Sequence, residues 1–447
     1  MKNWRHNLKE KKIFPNIICF VVALPGLFLL INEYPLFAII SNLAVVILGI
    51  FFLCYKRYIT ADHYSVLGVL SVLYLYFILS YFISGQPLNG FFAYKFLRYD
   101  GSFFFGYILF FALAIPFLNY RKTADIYFKI LFFTFSAFAL FAIFMYLRND
   151  FSILFNLQNS EKNFIVFNAA HNATGSVYSL VSIFLLAFFL RERNKKFKTV
   201  YIIMLILCLA GLFLTRSRGS YISFVVGAIA ALWIYFRSFK KFLISLLIMV
   251  AALIPIIFIS GAYKRILQIF DFKEFNISWR MILFERAMYM FKQSPIFGIG
   301  FGRFNDISFP DMTNNFSFNY MHIFLGYPKI VSFFMEGNFA SNASHAHNSY
   351  ANFLAETGIV GLGLVILFWI LCFRLILRSY YANSDELAKK IFLSTLGGII
   401  ALFAIAFTEN YFASPTILMC ISMVTSLSLG LCWQERKSAL ADNQKIL

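Results

Sequence analysis

Apolar residues gather along this chain in long runs separated by short polar stretches. Each run approaches the ~20 residues that an α-helix needs to cross a bilayer. Twelve can be read, at roughly 13–31, 36–54, 65–84, 102–119, 126–146, 173–190, 199–214, 219–236, 242–260, 355–373, 391–408 and 414–433. Backbone groups in lipid must be satisfied within their own segment, so the runs are expected to be helices. The pattern predicts an all-α polytopic membrane protein, a single transmembrane domain over 1–447, with about 12 spanning helices. One connection breaks the rhythm. The stretch 261–346 is long, and long loops usually have a task or a structure of their own. Within it Ser278 is read as the N-cap of an amphipathic helix, WRMILFERAMYMFKQ, stopped by Pro295.

Composition agrees with the membrane reading. The chain is 61% hydrophobic, 20% aromatic and 13% charged, about half the charged share of a soluble protein. No short apolar core with a cleavage site opens the sequence, so no removable signal peptide is expected. Lys and Arg then set the orientation. With the N-terminus inside, 25 of the 39 basic residues fall in inner segments, and 8 of the remaining 14 lie in the 261–346 loop. The excess predicts both ends cytoplasmic and the long loop external. The net charge of +19 suits contact with anionic membrane lipids. It is spread over many inner segments rather than gathered in one patch, which argues against nucleic acid as a partner. The six cysteines all lie in or beside apolar runs, without metal-type spacing, and are expected as buried hydrophobes; no metal site is expected.

Candidate chemistry clusters at the external edge. In LTRSRGSYISF, Arg216 and Arg218 fall in a turn of a few residues between two runs. Each can snorkel to headgroups or clamp a phosphate through its fork of donors. Arg280 lies on the loop helix, and Arg286, six residues on, is about 240° round it and on another face. Arg303 follows FGIGFG, read as a glycine turn whose amides could face an anion. In SHAHNSYANFLAETGIVGLG, Asn348, Asn352 and Glu356 form a stripe at four-residue spacing, with His345 near it and His347 beside Tyr350. Polar groups so placed point into a bundle or cavity. A neutral imidazole can accept a proton near physiological pH. His171, in NAAHNATGS, is a further external histidine.

Taken in order, TRSRGSYI, SWRMILFERAMYMFKQSPIFGIGFGRF and SHAHNSYANFLAETGIVGLGLVILF resemble the signatures of the O-antigen ligase and O-antigen polymerase superfamily, over roughly 205–375. That resemblance implies a bacterial inner-membrane glycosyltransferase. Its donor would be a glycan on undecaprenyl diphosphate, and its acceptor lipid A–core or a growing glycan. It implies that Arg218 and Arg280 contact the donor diphosphate and that His347 is the essential histidine. From their placement along the sequence, Arg216, Arg303, His345, Asn348 and Tyr350 are supporting candidates, and no cofactor is expected. Two readings stay open beside a ligase: a polysaccharide polymerase or protein glycosyltransferase, and a flippase for lipid-linked glycans. A flippase would be expected to show internal repeats and polar groups near the bilayer midplane.

Overall fold

The computed structural model describes residues 61–85, 120–149, 155–158, 161–165, 171–259, 261–267, 275–304, 345–412, 414, 417–418 and 420–432. In chain order the elements are α1 (Ala61–Ile83), α2 (Tyr120–Leu147), β1 (Phe155–Gln158), β2 (Glu161–Phe164), α3 (His171–Arg191), α4 (Lys195–Leu214), α5 (Arg218–Phe236), α6 (Phe239–Ile259), α7 (Ala262–Leu267), α8 (Phe275–Gln293), α9 (Ser349–Ala382) and α10 (Glu386–Ile405). Eight of these helices are long and apolar enough to cross a membrane, and a shorter apolar helix, Cys420–Cys432, follows. They match the expected runs from 65–84 onward, apart from three: 13–31, 36–54 and 102–119 lie outside the described residues.

Two details depart from the sequence reading. The connection before α3 holds a small antiparallel hairpin, β1 against β2, with Phe155 opposite Phe164, so the fold is not purely helical. Phe164 is buried against Tyr178 of α3, ring centroids 5.5 Å apart. The loop helix α8 begins at Phe275, so Ser278 lies inside it and is not its N-cap. No Gly or Pro stands in the three preceding residues, and helix formation continues through them.

The centre of the bundle is a contact of α3, α5 and α10. Small side chains let the three backbones approach. A Cβ at Gly175 would collide with Thr215, Ser217 and Ser220. Hydroxyls tie the same faces together: Ser176 to Ser220 at 3.2 Å, Ser179 to Ser223 at 3.1 Å, and Ser223 to the Ala401 carbonyl at 3.0 Å. Such interhelical bonds contribute roughly 0.6–2 kcal/mol each in a membrane. The outcome is positional. The N-termini of α3 and α5 and the C-terminus of α10 are brought to one end of the bundle.

A second device is a broken helix. Within α9, Gly358 has φ 63° and ψ −168°, a conformation that side chains with a Cβ avoid. The break frees backbone groups that cannot stay unpaired in a membrane. The glycine turn after α8 supplies their partners. Ile299 and Gly300 donate to the carbonyls of Ala355 and Glu356, each at 3.0 Å. Ile359 and Val360 donate to those of Pro295 and Ile296, at 2.9 and 3.2 Å. Tyr76 of α1 closes the joint, donating to the carbonyls of Thr357 at 2.7 Å and Phe297 at 3.1 Å. The glycine-turn amides of Ile299 and Gly300 are therefore engaged by helix carbonyls rather than turned toward an anion.

Candidate active site

At the end where α3, α5 and α10 converge lies a polar cavity of about 60 Å³. Arg218 opens α5 and lines it. Arg216, in the turn before, lines it too, with its backbone in the left-handed region at φ 56°. Arg280 reaches it from α8, and Arg265, 6% exposed, from the short α7. His171 and Asn172 contribute from the start of α3, and Thr408, Glu409 and Tyr411 from the chain just beyond α10. Among the described residues, four guanidinium groups and one carboxylate are thus gathered in the lining. A Coulomb term falls off with distance and strengthens out of water, so this lining favours an anion of multiple charge.

Glu409 organises the cluster. It is 8% exposed. Its Oε1 accepts from Arg280 Nη2 at 2.7 Å and from Asn172 Nδ2 at 3.0 Å, and its Oε2 lies 2.6 Å from His347 Nδ1. Burial pushes its pKa up, but the His347 hydrogen bond and the Arg280 charge outweigh that and hold it at about 2. A carboxylate can only accept, so the proton between the two groups belongs on His347 Nδ1, and in the neutral imidazole Nε2 carries the lone pair.

The backbone fixes His347 from both sides. It adopts φ 48°, uncommon for a residue with a Cβ. Asn348 caps α9, its side chain accepting from Ala351 N–H at 3.0 Å. Ser349 N–H donates to the Ala406 carbonyl at 2.8 Å, and Ser349 Oγ donates to the Glu409 carbonyl at 2.9 Å while accepting from Phe412 N–H at 3.1 Å. The start of α9 is therefore stitched to the segment that carries Glu409. His345 Nδ1 accepts from His347 N–H at 3.2 Å. Burial, and repulsion from His347 whenever that ring is protonated, lower its pKa to about 4, so His345 is neutral at physiological pH.

His345, His347 and Glu409 place one potential metal-ligand atom each within 4.8 Å of one another. The surroundings oppose a divalent cation there. Glu409 is already shared among a guanidinium, an amide and an imidazole N–H, and four arginines line the adjoining cavity. An added double positive charge would meet like charges at close range.

Arg218, Arg280, Arg216 and His171 line the cavity together, and His347 joins it through Glu409. The remaining sequence candidates lie elsewhere. Arg303 donates to the carbonyls of Ser84 at 3.1 Å and Ile299 at 3.4 Å, holding the glycine turn. Tyr350 donates to the Phe403 carbonyl at 2.8 Å and packs on Phe407. Arg286 is fully buried and stands over the Phe304 ring, 4.9 Å from its centroid, on a different face from Arg280. Sequence reasoning missed Glu409, Asn172 and Arg265. For Glu409 a signal existed: a lone acid in IAFTENYF, at the mouth of an apolar run, where an ionisable group is costly and usually functional.

No curated protein matches the chain. A family model described as O-Antigen ligase matches residues 203–366. That span contains Arg216, Arg218, Arg265, Arg280 and His347, each carried by a motif or element described above. Over residues 203–366 the chain is therefore similar to the O-antigen ligase family, in keeping with the resemblance of its motifs to the O-antigen ligase and polymerase superfamily.

Proposed function

We propose that this multi-pass membrane protein is a metal-independent, inverting glycosyltransferase. It takes a glycan from undecaprenyl diphosphate and joins it to a hydroxyl of lipid A–core, as an O-antigen ligase, at the periplasmic face of the inner membrane. The observation that carries the reading is the Arg280–Glu409–His347 contact beside a cavity lined by Arg218. It unites an anion clamp with an oriented base.

The chemistry follows from these groups. The acceptor oxygen attacks the anomeric carbon and its proton passes to His347 Nε2. The bond from that carbon to the phosphate oxygen breaks, and the electron pair leaves on the diphosphate. Negative charge grows there, where Arg218 and Arg280 can meet it. One preorganised donor of this kind contributes about 3 kcal/mol. A positioned base adds roughly 10²–10⁴-fold. Glu409 keeps the imidazole in the Nδ1–H tautomer, as the third member of a nucleophile–base–orienter set does. One displacement inverts the anomeric centre.

The basic end of the bundle, with Arg191, Arg193, Lys390 and Arg237, lies opposite the cavity, at the other ends of α3, α5 and α10. Under the positive-inside rule this supports a periplasmic site. A deletion strain tests the assignment. Accumulated undecaprenyl-linked polymer, with lipid A–core left bare and restored by wild type but not by His347→Ala, is the expected result. Lipid A–core bearing single repeat units would instead assign a polymerase.

A further inference from the structure

Two buried polar side chains of α9 lie beneath His347 and take no part in the chemistry above. Asn352 is 4% exposed and Glu356 6%. Glu356 Oε1 accepts from Phe304 N–H at 2.9 Å. Its Oε2 accepts from Asn352 Nδ2 at 3.2 Å. Asn352 Oδ1 accepts in turn from Ala346 N–H at 3.0 Å. The chain of bonds runs without a gap from the end of the glycine turn to the residue before His347.

The relay holds together parts distant in sequence. Phe304 and Ala346 flank the 305–344 stretch, and the relay fixes both to one turn of α9. The same turn is where α9 breaks and pairs its backbone with residues 295–300. Ala346 is held on one side of His347 and Ser349 on the other. His347 has φ 48°, a sparsely populated conformation that persists only when its surroundings over-determine it.

A polar pair is an expensive way to fill this space. A buried carboxylate and amide lose hydration, and apolar side chains of similar size would often pack there at less cost. What polar groups add is direction, because each bond has a fixed donor and acceptor. We propose that Asn352 and Glu356 are positioning residues that set the place of His347 by directing the Ala346 N–H, an inference that rests on the reading of His347 as the base.

The test exchanges the polarity of the pair. In Glu356→Gln, whichever way the new amide turns, its N–H meets a donor: Asn352 Nδ2 or the Phe304 N–H. Turning Asn352 to relieve this sets its amide against Ala346 N–H. Asn352→Asp alone sets two carboxylates face to face. The double variant, Asn352→Asp with Glu356→Gln, restores all three bonds of the relay. The new amide N–H at position 356 donates to the new carboxylate at position 352. That carboxylate accepts from Ala346 N–H, and the amide oxygen at position 356 accepts from Phe304 N–H. One carboxylate is kept.

Two readouts are compared in purified full-length protein: the carbethoxylation rate of His347 by diethyl pyrocarbonate, resolved by peptide mass, and glycan transfer. Each single variant is expected to raise the modification rate about threefold or more. Each should also lower transfer roughly tenfold or more, since small misplacements of a reacting group are costly. The double variant should return both to within about threefold of wild type, a rescue that loss of packing alone would not give. Unchanged singles, or a double variant showing the combined losses of both, would overturn the relay. The modification rate needs no turnover. Rescue of that rate in a protein inactive even as wild type would uphold the relay and reject the glycosyltransferase reading.

Discussion

The two ends of the bundle carry the same kinds of charge in opposite arrangements. At the end where α3 meets α4 and α9 meets α10, cations and acids alternate. Arg191 and Arg193 share Glu386 at 2.7 Å each, Lys390 meets Glu192 at 2.6 Å, and Arg121 meets Asp385 at 3.2 Å. Aromatic faces take up further charge, with Arg237 3.4 Å from the Tyr381 ring centroid. These pairs join the loops between helices, and exposed ones contribute only about 0–1 kcal/mol each. At the cavity end, among the described residues, four arginines and a single carboxylate line one space, and that carboxylate is shared with a histidine. Charge distributed pair by pair reads as architecture. Charge gathered around one acid reads as a site for an anionic ligand.

The sharpest way to break this contrast is to remove one acid from each end. Glu409→Ala leaves His347, Arg280 and Asn172 without their common partner. We expect glycan transfer to fall at least 100-fold, about 3 kcal/mol in barrier. Glu386→Ala should change transfer by less than about threefold. Equal losses in a reconstituted assay, at matched protein abundance, would erase the distinction between the ends.

The clamp sharpens it next. Arg218→Lys keeps the charge and loses the bidentate fork, and Arg280→Ala loses both. Each should cost transfer roughly 10-fold to 100-fold, with normal abundance on immunoblot. Arg216→Ala should do less, and Arg193→Ala at the opposite end least of all. Near-normal transfer in both Arg218→Lys and Arg280→Ala would remove the diphosphate assignment.

Acid should loosen the cavity end in two windows. His345 is half-buried and neutral, its pKa about 4 against an ordinary 6.5. The unfolded chain binds the extra proton first, so stability is lost as pH falls from about 6.5 toward 4. Glu409 has its pKa lowered from 4.5 to about 2. Its contribution is full above 4.5 and is lost as pH falls toward 2. Thermal unfolding midpoints measured against pH should show both windows. Burial also lowers the pKa of His171 to about 4, so His345→Gln should make the upper window shallower without abolishing it, and leave the lower one unchanged. An unaltered upper window in that variant would contradict the neutral, half-buried His345.

Much of this arrangement was legible in the sequence because it is local. Apolar runs located the described spans to within about six residues, apart from α9, which runs well beyond 355–373. The four-residue spacing of Asn352 and Glu356 put them on one face of α9, where they bond. What escaped depends on chain segments meeting at a distance. Glu409 lies 62 residues beyond His347, and spacing along one helix carries no information about such a contact. The break at Gly358 escaped for a related reason. A glycine within an apolar run is compatible with a straight helix, and here residues 295–300 supply the partners that make a break tolerable. Asn172 and Arg265 read as ordinary edge residues until the ends of α3 and α7 converge on the same space.

The central claim is that His347, oriented by Glu409, takes the acceptor proton as glycan leaves its lipid diphosphate. The direct measurement uses purified protein in vesicles, with undecaprenyl-diphosphate-linked glycan as donor and lipid A–core as acceptor. It follows glycosylated acceptor and released lipid diphosphate over a range of pH. Wild type should form the two products one for one, at a rate that falls on the acid side, and His347→Gln should form neither above background. His347→Gln at close to the wild-type rate, or no covalent product from wild type, would contradict the account.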